Sequence, residues 1–234
     1  MLQKFIGPFR EFGLGVGLLY SIDRVLQGLS SGLRLYAYEI MVQPITDRPL
    51  LPARLRKRLE IREIKQGDPE VQLMPARPEI RESRFKQNAI CLGAFQNGQF
   101  IGYIWFCFRA YDEDEVRCTF VLHPEPESVF DFDLYIFPEH RLGLAFVGIW
   151  SGANEFLSAR GIKYTYSRLT RFNVASARAH EHLGWKQVGA AVFLQAWRVE
   201  LMAATIFPYV HVSFTRNNRA RLNLHPHALR RSGA

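Results

Sequence analysis

The chain has 234 residues, of which 48% are hydrophobic and 22% charged. These values are typical of a globular protein and exclude a disordered chain or a fibre. The length accommodates one sizeable domain with extensions, or two small domains. The net charge is +8, but residues 216–234 contain five arginines and no acid. The rest of the chain is therefore only mildly basic, so we expect a solvated basic tail and no nucleic-acid binding by the main domain.

Three cysteines, Cys91, Cys107 and Cys118, lie among apolar residues, and no CxxC motif or Cys/His cluster accompanies them. This usage predicts reduced thiols in the core of a cytoplasmic protein, with neither a disulfide framework nor a metal site. The apolar stretch at residues 12–22 is shorter than the roughly 20 residues that a membrane-spanning helix needs. The start of the chain also lacks the pattern of a secretory signal.

Residues 1–53 are predicted to form an N-terminal extension with an amphipathic helix and a Pro-rich linker. Apolar residues recur there at helical spacing with polar residues between them, namely Leu18, Ile22, Val25, Leu26 and Leu29. Such a stripe packs against the main domain or a second subunit, or it lies on a membrane surface. The sequence leaves open a homodimer and a peripheral membrane contact through residues 12–30.

Residues 54–215 are predicted to form one α/β domain, followed by the basic tail at 216–234. The clearest local signal is a hairpin in which residues 89–96 and 99–108 flank Asn97-Gly98, a pair that adopts the positive φ angles of a tight turn. Both strands are apolar on both faces, which predicts a sheet covered by helices on each side. Further strands are expected at 59–64, 116–122, 129–137, 162–169, 185–201 and 205–214, with helices within 69–87, after residue 143 and after Asn173.

The strand–turn–helix segment from Asp131 to Arg160 is the first candidate for chemistry. A strand is followed by Pro138, a turn, and the start of a helix. Helix starts expose backbone N–H groups and carry partial positive charge, which suits a diphosphate. The small Gly143 lets an anion approach the backbone, and Arg141 adds a full positive charge.

The second candidate segment is Asn173-Val-Ala-Ser-Ala-Arg-Ala-His180-Glu-His-Leu-Gly184-Trp185. Its spacing resembles the last conserved segment of the GNAT (GCN5-related N-acetyltransferase) superfamily. The stretch from Asp133 to Ala145 resembles that family's coenzyme A pyrophosphate loop, and the resemblance covers roughly residues 55–200. It implies a GNAT-like, mixed, mostly antiparallel twisted sheet flanked by helices on both faces, with the N-terminal helical extension outside the family pattern.

The resemblance implies an acyl-coenzyme A-dependent N-acyltransferase, with acetyl-coenzyme A as the expected donor and no metal. The acceptor would be a primary amine of a small molecule or amino sugar, which attacks the thioester directly in a ternary complex. The coenzyme would lie between splayed strands. The residues that the resemblance assigns to coenzyme binding are Leu134, Tyr135, Ile136, Arg141, Leu142, Gly143, Leu144, Ala145, Phe146, Asn173 and Ser176.

The resemblance also points to the catalytic groups. Family members often carry a tyrosine seven residues after the asparagine, and this chain has His180 there. Seven residues are nearly two helical turns, so His180 returns to the face of Asn173. An imidazole with an unperturbed pKa of about 6.5 suits protonation of the departing thiolate. Asp131 and Asp133 are candidate bases. The alternative is a non-catalytic GNAT-fold module that docks on a membrane or a protein complex.

Overall fold

The computed structural model describes residues 2–46, 50–141, 143–173 and 183–230, with side chains from residue 13 onward except at 228 and 230. The chain divides into two compact units. The first unit comprises residues 1–43, 112–121 and 167–234, and the second comprises 44–111 and 122–166. The domain boundaries predicted at residues 53 and 215 stay predictions.

Helices and strands follow one another in a mixed order along the chain. The helices of the described residues are α1 (Leu2–Leu29), α2 (Ala53–Arg56), α3 (Glu70–Leu73), α4 (Pro78–Lys86), α5 (Ala145–Ser158) and α6 (His227–Arg230), with a 3₁₀ turn at Pro138–His140. The strands are β1 (Leu33–Pro44), β2 (Leu59–Ile64), β3 (Ile90–Gln96), β4 (Gln99–Phe108), β5 (Ala110–Asp112), β6 (Cys118–Leu122), β7 (Ser128–Ile136), β8 (Tyr164–Thr170), β9 (Lys186–Ala196), β10 (Val199–Ala204), β11 (Val210–Ser213) and β12 (Ala220–Leu224).

The second unit contains the strand order β8-β7-β4-β3-β2. Neighbours from β7 to β2 are antiparallel, whereas β7 and β8 are parallel. This confirms the predicted mixed, mostly antiparallel sheet. It also explains the apolar character of β3 and β4, because inner strands are buried on both faces.

Helices α4 and α5 cover opposite faces of this sheet. The ring of Phe85 on α4 packs edge-on against Trp105 of β4, with 4.9 Å between centroids. A Cβ placed on Gly102 of the same strand would meet Ile149 of α5 at 3.2 Å. Residues an odd number apart on a strand point to opposite faces. The predicted covering of both faces by helices is therefore confirmed.

The hairpin predicted around Asn97-Gly98 is confirmed. Asn97 and Gly98 have φ angles of 52° and 77°, and Gln96 pairs with Gln99. These are the positive φ values that a two-residue hairpin turn requires.

The first unit contains the strand order β11-β10-β9-β1, and all of these neighbours are antiparallel. Strand β1 was not predicted. It lies within the N-terminal extension and pairs with β9 from Leu33↔Ala196 to Val42↔Lys186. Residues 185–201 were predicted as one strand, but the structure turns the chain at Trp197, where φ is 53°, and so forms two strands.

The expectation of a solvated basic tail is wrong for residues 220–224. Ala220, Leu222 and Leu224 in β12 are 1%, 0% and 1% exposed. The strand alternates inward apolar residues with the exposed Arg221 and Asn223, which is the period-two pattern of a half-buried strand.

All three cysteines are buried, and none of them is in a disulfide. Burial, with a further contribution from the Asp133 carboxylate, raises the pKa of the Cys91 thiol, and burial likewise raises the pKa of Cys118. Both groups are therefore protonated thiols near neutral pH, and the thiolate is the reactive form.

We expect DTNB at pH 8 to modify no cysteine in the native protein and all three after unfolding in guanidinium. Rapid modification of the native protein would contradict the packing around β3, β4 and β6.

Within the described residues, no helix combines the length and apolar character needed to cross a bilayer.

Candidate functional site

The pairing of β4 with β7 changes register in the middle of β7. Tyr103 pairs with Tyr135, but Trp105 pairs with Phe132, so β7 has an extra residue between these pairs. Asp133 lies in this bulge and has a φ of 46°. β-Bulges re-aim side chains and increase the local twist of a strand. The parallel pairs between β7 and β8 join Ser128–Phe130 to Tyr164–Tyr166, so the bulge and residues 134–136 lie beyond them.

The Asp133 carboxylate is held by two side chains of the second unit. It forms a close ion pair with Arg84 of α4 and accepts a hydrogen bond from the Tyr103 hydroxyl at 3.3 Å. The Arg84 side chain is 8% exposed and that of Asp133 is 30% exposed. The Arg84 guanidinium also lies over the rings of Trp105 and Phe132, at 5.6 and 5.3 Å. A buried guanidinium needs such a partner, because an unpaired buried charge is strongly destabilising.

Tyr103 is almost fully buried, at 1% exposure. Burial, with a smaller contribution from the nearby Asp133 carboxylate, raises the pKa of its hydroxyl. The hydroxyl therefore stays protonated through the physiological range and acts as a hydrogen-bond donor to Asp133. The ring stacks on Tyr135, with centroids 5.7 Å apart.

The end of β7 leads directly into the turn before α5. Residues 134–136 are half-buried, and Pro138–His140 then form the 3₁₀ turn. The exposed Arg141 turns back over this strand end. Its Nε donates to the carbonyl oxygen of Ile136 at 3.0 Å, and its guanidinium lies 5.5 Å from the centroid of the Tyr135 ring. Strand, bulge and turn are therefore joined by direct contacts.

The first turn of α5 presents backbone N–H groups at the end of this strand. Gly148 N–H donates to Leu144 O at 2.8 Å, and the N–H groups of 145–147 precede that bond in the helix. Gly143 is exposed, and a Cβ placed there would meet one atom, His140 O, at 3.6 Å. The buried Nε2 of His140 has no hydrogen-bond partner among the described residues. These groups match the donors that an anion uses at a helix start.

The two aspartates of β7 have different surroundings. Asp131 is 3% exposed and accepts a hydrogen bond from the Thr165 hydroxyl at 2.6 Å, whereas Asp133 lies in the partly exposed bulge. The structure therefore does not bring the two candidate bases into one polar cluster.

The remaining predicted residues lie in other parts of the chain. Leu144 is 41% exposed and Ala145 is 3% exposed, while Phe146 is half-buried. Asn173 is exposed in the first unit, and its N–H donates to Thr170 O at 3.0 Å. Leu142, Ser176 and His180 lie outside the described residues, so their assigned roles stay predictions.

Arg84 and Tyr103, the two partners of Asp133, were not singled out from the sequence. Arg84 is separated from Asp133 by 49 residues, and a polar helix such as α4 favours a solvated arginine. The one sequence signal is the i, i+3 spacing of Arg81 and Arg84, which places both on one helix face. Both arginines are buried in the structure.

Comparisons with known proteins find similarity in solved structures alone. No protein-family model matches the chain, and no curated protein matches it. A conserved protein of unknown function from Staphylococcus epidermidis aligns at 13% identity over 78% of this chain and 68% of its own, with a TM-score of 0.47. A tandem GNAT protein from the clavulanic acid biosynthesis pathway aligns at 17% identity over 69% and 53%, with a TM-score of 0.47.

The aminoglycoside N-acetyltransferase AAC(6')-Iy, solved with a coenzyme A bisubstrate analogue, aligns at 18% identity. The alignment covers 54% of this chain and 89% of that one, with a TM-score of 0.42. GNAT acetyltransferases, the family that the sequence resembles, are therefore among the similar solved structures.

Proposed function

We propose that the chain is an acyl-coenzyme A-dependent N-acyltransferase that acts on a primary amine of a small molecule or amino sugar. The observation that carries this proposal is the bulge of β7 at Asp133, followed directly by the open turn into α5. The bulge separates the last three residues of β7, 134–136, from the β7–β8 pairs. The turn offers backbone donors, a small residue at 143 and an exposed arginine at 141.

The coenzyme site is assigned to the end of β7 and the start of α5. The backbone of residues 134–136 is suited to pair with the pantetheine amides. The N–H groups at the start of α5, the Arg141 guanidinium and Nε2 of His140 are suited to the diphosphate oxygens. The resemblance to the GNAT family also assigns coenzyme contacts to Asn173 and Ser176, and these two contacts stay predictions.

Acyl-coenzyme A supplies an activated thioester as one substrate. The amine nitrogen forms a bond to the carbonyl carbon, and the bond from that carbon to sulfur breaks. The amine must lose a proton and the thiolate must gain one. We assign the first task to Asp133, since it is the more exposed of the two aspartates, with Arg84 and Tyr103 fixing its position. Asp131 is the second candidate base, and His180 is proposed as the proton donor to sulfur.

Calorimetry with acetyl-coenzyme A, followed by a transfer assay with a panel of small amines and amino sugars, tests the proposal. Because the protein's own thiols are buried, DTNB should report the released coenzyme A with little background. We expect saturable binding and amine-dependent thiol release. Absence of saturable binding would favour the non-catalytic module. Binding without turnover of any amine would remove the acyltransferase assignment and leave a coenzyme-binding protein.

His180→Phe is expected to reduce kcat by about 100-fold, in the range lost with a general acid, while the Kd for coenzyme A changes less than about twofold. His182→Phe is the matched control, because in the helix predicted from the sequence two residues correspond to a rotation of about 200°, away from the side expected to carry Asn173. Steady-state kinetics and calorimetry on both variants measure the effect. Equal activity of the two variants would remove His180 from the mechanism.

A further inference from the structure

Helix α1 exposes its apolar stripe. Leu14, Leu18, Ile22, Val25 and Leu29 are 81%, 53%, 39%, 56% and 72% exposed. They follow one another at intervals of three or four residues and so occupy one side of the helix. A surface helix of a globular protein normally turns such a stripe toward the core. In this chain the apolar side is presented outward.

The other side of α1 is fixed to the first unit by polar and aromatic contacts. Asp23 is 8% exposed, and its Oδ1 accepts from the N–H of Leu35 in β1 at 3.0 Å. Its Oδ2 accepts from Gln27 Nε2 at 2.5 Å. The ring of Tyr20 packs edge-on against Phe172, with centroids 5.4 Å apart. These contacts set the rotation of the helix and leave the stripe without a cover in the described residues.

The β10–β11 hairpin of the same unit exposes a second apolar surface. Leu201 pairs with Val212, and these residues are 43% and 40% exposed. Val199, Val210 and Phe214 share their face by the period of two and are 37%, 63% and 63% exposed. The opposite face of the hairpin is the buried one.

Trp197 lies where the two surfaces meet. Its N–H donates to Gly32 O at 2.9 Å, and its indole lies 2.7 Å from where a Cβ of Gly32 would be. Gly32 follows shortly after Leu29, the last residue of the stripe, and Trp197 precedes Val199 of the hairpin. The indole is 71% exposed, so it continues the apolar surface from helix to hairpin.

We infer that these surfaces bind a second copy of this chain, with α1 of one copy packed along α1 of the other. The spacing of Leu18, Ile22, Val25 and Leu29 is 4-3-4, and such alternating steps of four and three residues line the seam between two packed helices. The flanking positions at 19, 21, 26 and 28 are Leu, Ser, Leu and Gly. They carry no charge that would repel the same helix in a partner, and the small residues allow close approach.

The size of the surface also fits a second copy. An exposed aliphatic side chain presents roughly 60–120 Å² of apolar area, so the ten exposed residues and Trp197 together offer several hundred Å². The largest apolar patch on a typical monomer is about 300–600 Å², and a stable interface buries about 800 Å² per partner.

A membrane surface fits this helix less well than a second copy, because an interfacial helix needs a polar face rich in Lys and Arg. The polar side of α1 has Asp23, Arg24 and Gln27, and two of these are engaged within the unit.

Sedimentation velocity of the full chain over about 1–100 µM tests the dimer. The wild type is expected at twice the monomer mass of 27.0 kDa. The double variant Leu18→Glu/Val25→Glu is expected to be a monomer, because each buried carboxylate would lose its hydration. Since both side chains are exposed in one copy, the variant should fold with the wild-type circular dichroism spectrum, and its thermal midpoint should fall only by the stabilisation that the dimer supplies. Leu201→Glu, on the hairpin, is expected to weaken the dimer by at least about tenfold.

Arg24→Glu is the matched control, because Arg24 is exposed on the same helix outside the stripe. It should leave the dimer unchanged. A monomeric wild type across this range, or a dimer that survives the Leu18→Glu/Val25→Glu change, would overturn the inference. A third result would assign the stripe to lipid and overturn the dimer. In that case the wild type is a monomer in solution and floats with phosphatidylserine–phosphatidylcholine vesicles, and the double variant no longer floats.

Discussion

Gly143→Val is expected to weaken coenzyme A binding at least tenfold, which corresponds to ~1.4 kcal/mol, without loss of stability. The position is exposed, and an added Cβ meets a single carbonyl oxygen at an ordinary 3.6 Å. The protein itself therefore has room for the side chain. A diphosphate bound to the N–H groups of this turn would be displaced, because the branched methyl groups of valine would occupy the space next to the backbone that its oxygens need.

Gly67→Val is the control for this change. Gly67 lies in another turn of the second unit, and a Cβ there has no neighbour within 4 Å. Calorimetry should find the affinity reduced in Gly143→Val alone, while urea unfolding gives the same midpoint for both variants. Wild-type affinity in Gly143→Val would mean that the diphosphate does not bind at this turn.

Gly102→Ala is expected to lower the free energy of unfolding by about 2–3 kcal/mol. The added Cβ would lie 2.6 Å from the carbonyl oxygen of Tyr135 and 3.2 Å from Cα of Ile136. Both are backbone atoms of β7, so relief requires β4 and β7 to separate next to the bulge. Overpacking of this kind typically costs ~1–3 kcal/mol. We expect a cost at the upper end of this range, because backbone atoms cannot move away as a flexible side chain can.

Urea unfolding measures this change through the midpoint and the slope. Gly67→Ala is the matched variant, and it should be neutral or slightly stabilising because the replacement reduces the freedom of the unfolded chain. If Gly102→Ala unfolded at the wild-type midpoint, the close approach of β4 and β7 at Tyr135 would be wrong.

The elements that could be predicted from the sequence are those specified by local chemistry. Asn97-Gly98 determines the hairpin because both residues accept positive φ. The helix after Gly143 and its end at Gly161, where φ is 73°, follow from apolar periodicity and a glycine cap. The strand at 59–64 has the predicted bounds, because alternation of apolar and charged residues is a local pattern.

The elements that were missed depend on partners distant in the chain. β1 is an apolar strand whose partner, β9, lies at the other end of the sequence, and no turn signal joins the two. The tail was interpreted by its charge, although Ala220 and Leu222 alternate with polar residues. The turn at Trp197 contains neither Gly nor Asn, the residues that normally mark a positive φ.

The candidate site also combines features that the local sequence predicts with features that depend on residues distant in the chain. The turn from Pro138 to Ala145 could be predicted, because it resembles a family loop and because helix starts expose N–H groups to an anion. The pairing of Arg84 with Asp133 could not be predicted, because it depends on how α4 lies on the sheet. The bulge at Asp133 was also not predicted, since a register shift is a property of two strands together.

Hydrogen exchange of the amides at residues 143–147, with and without coenzyme A, is the most direct test of the proposed site. Mass spectrometry of peptides covering residues 138–150 follows these amides, and peptides covering residues 59–67 serve as the internal reference. We expect saturating coenzyme A to slow exchange at the start of α5, because phosphate oxygens would accept hydrogen bonds from these N–H groups. Unchanged exchange there at a ligand concentration that saturates binding would place the coenzyme elsewhere and contradict the proposed site.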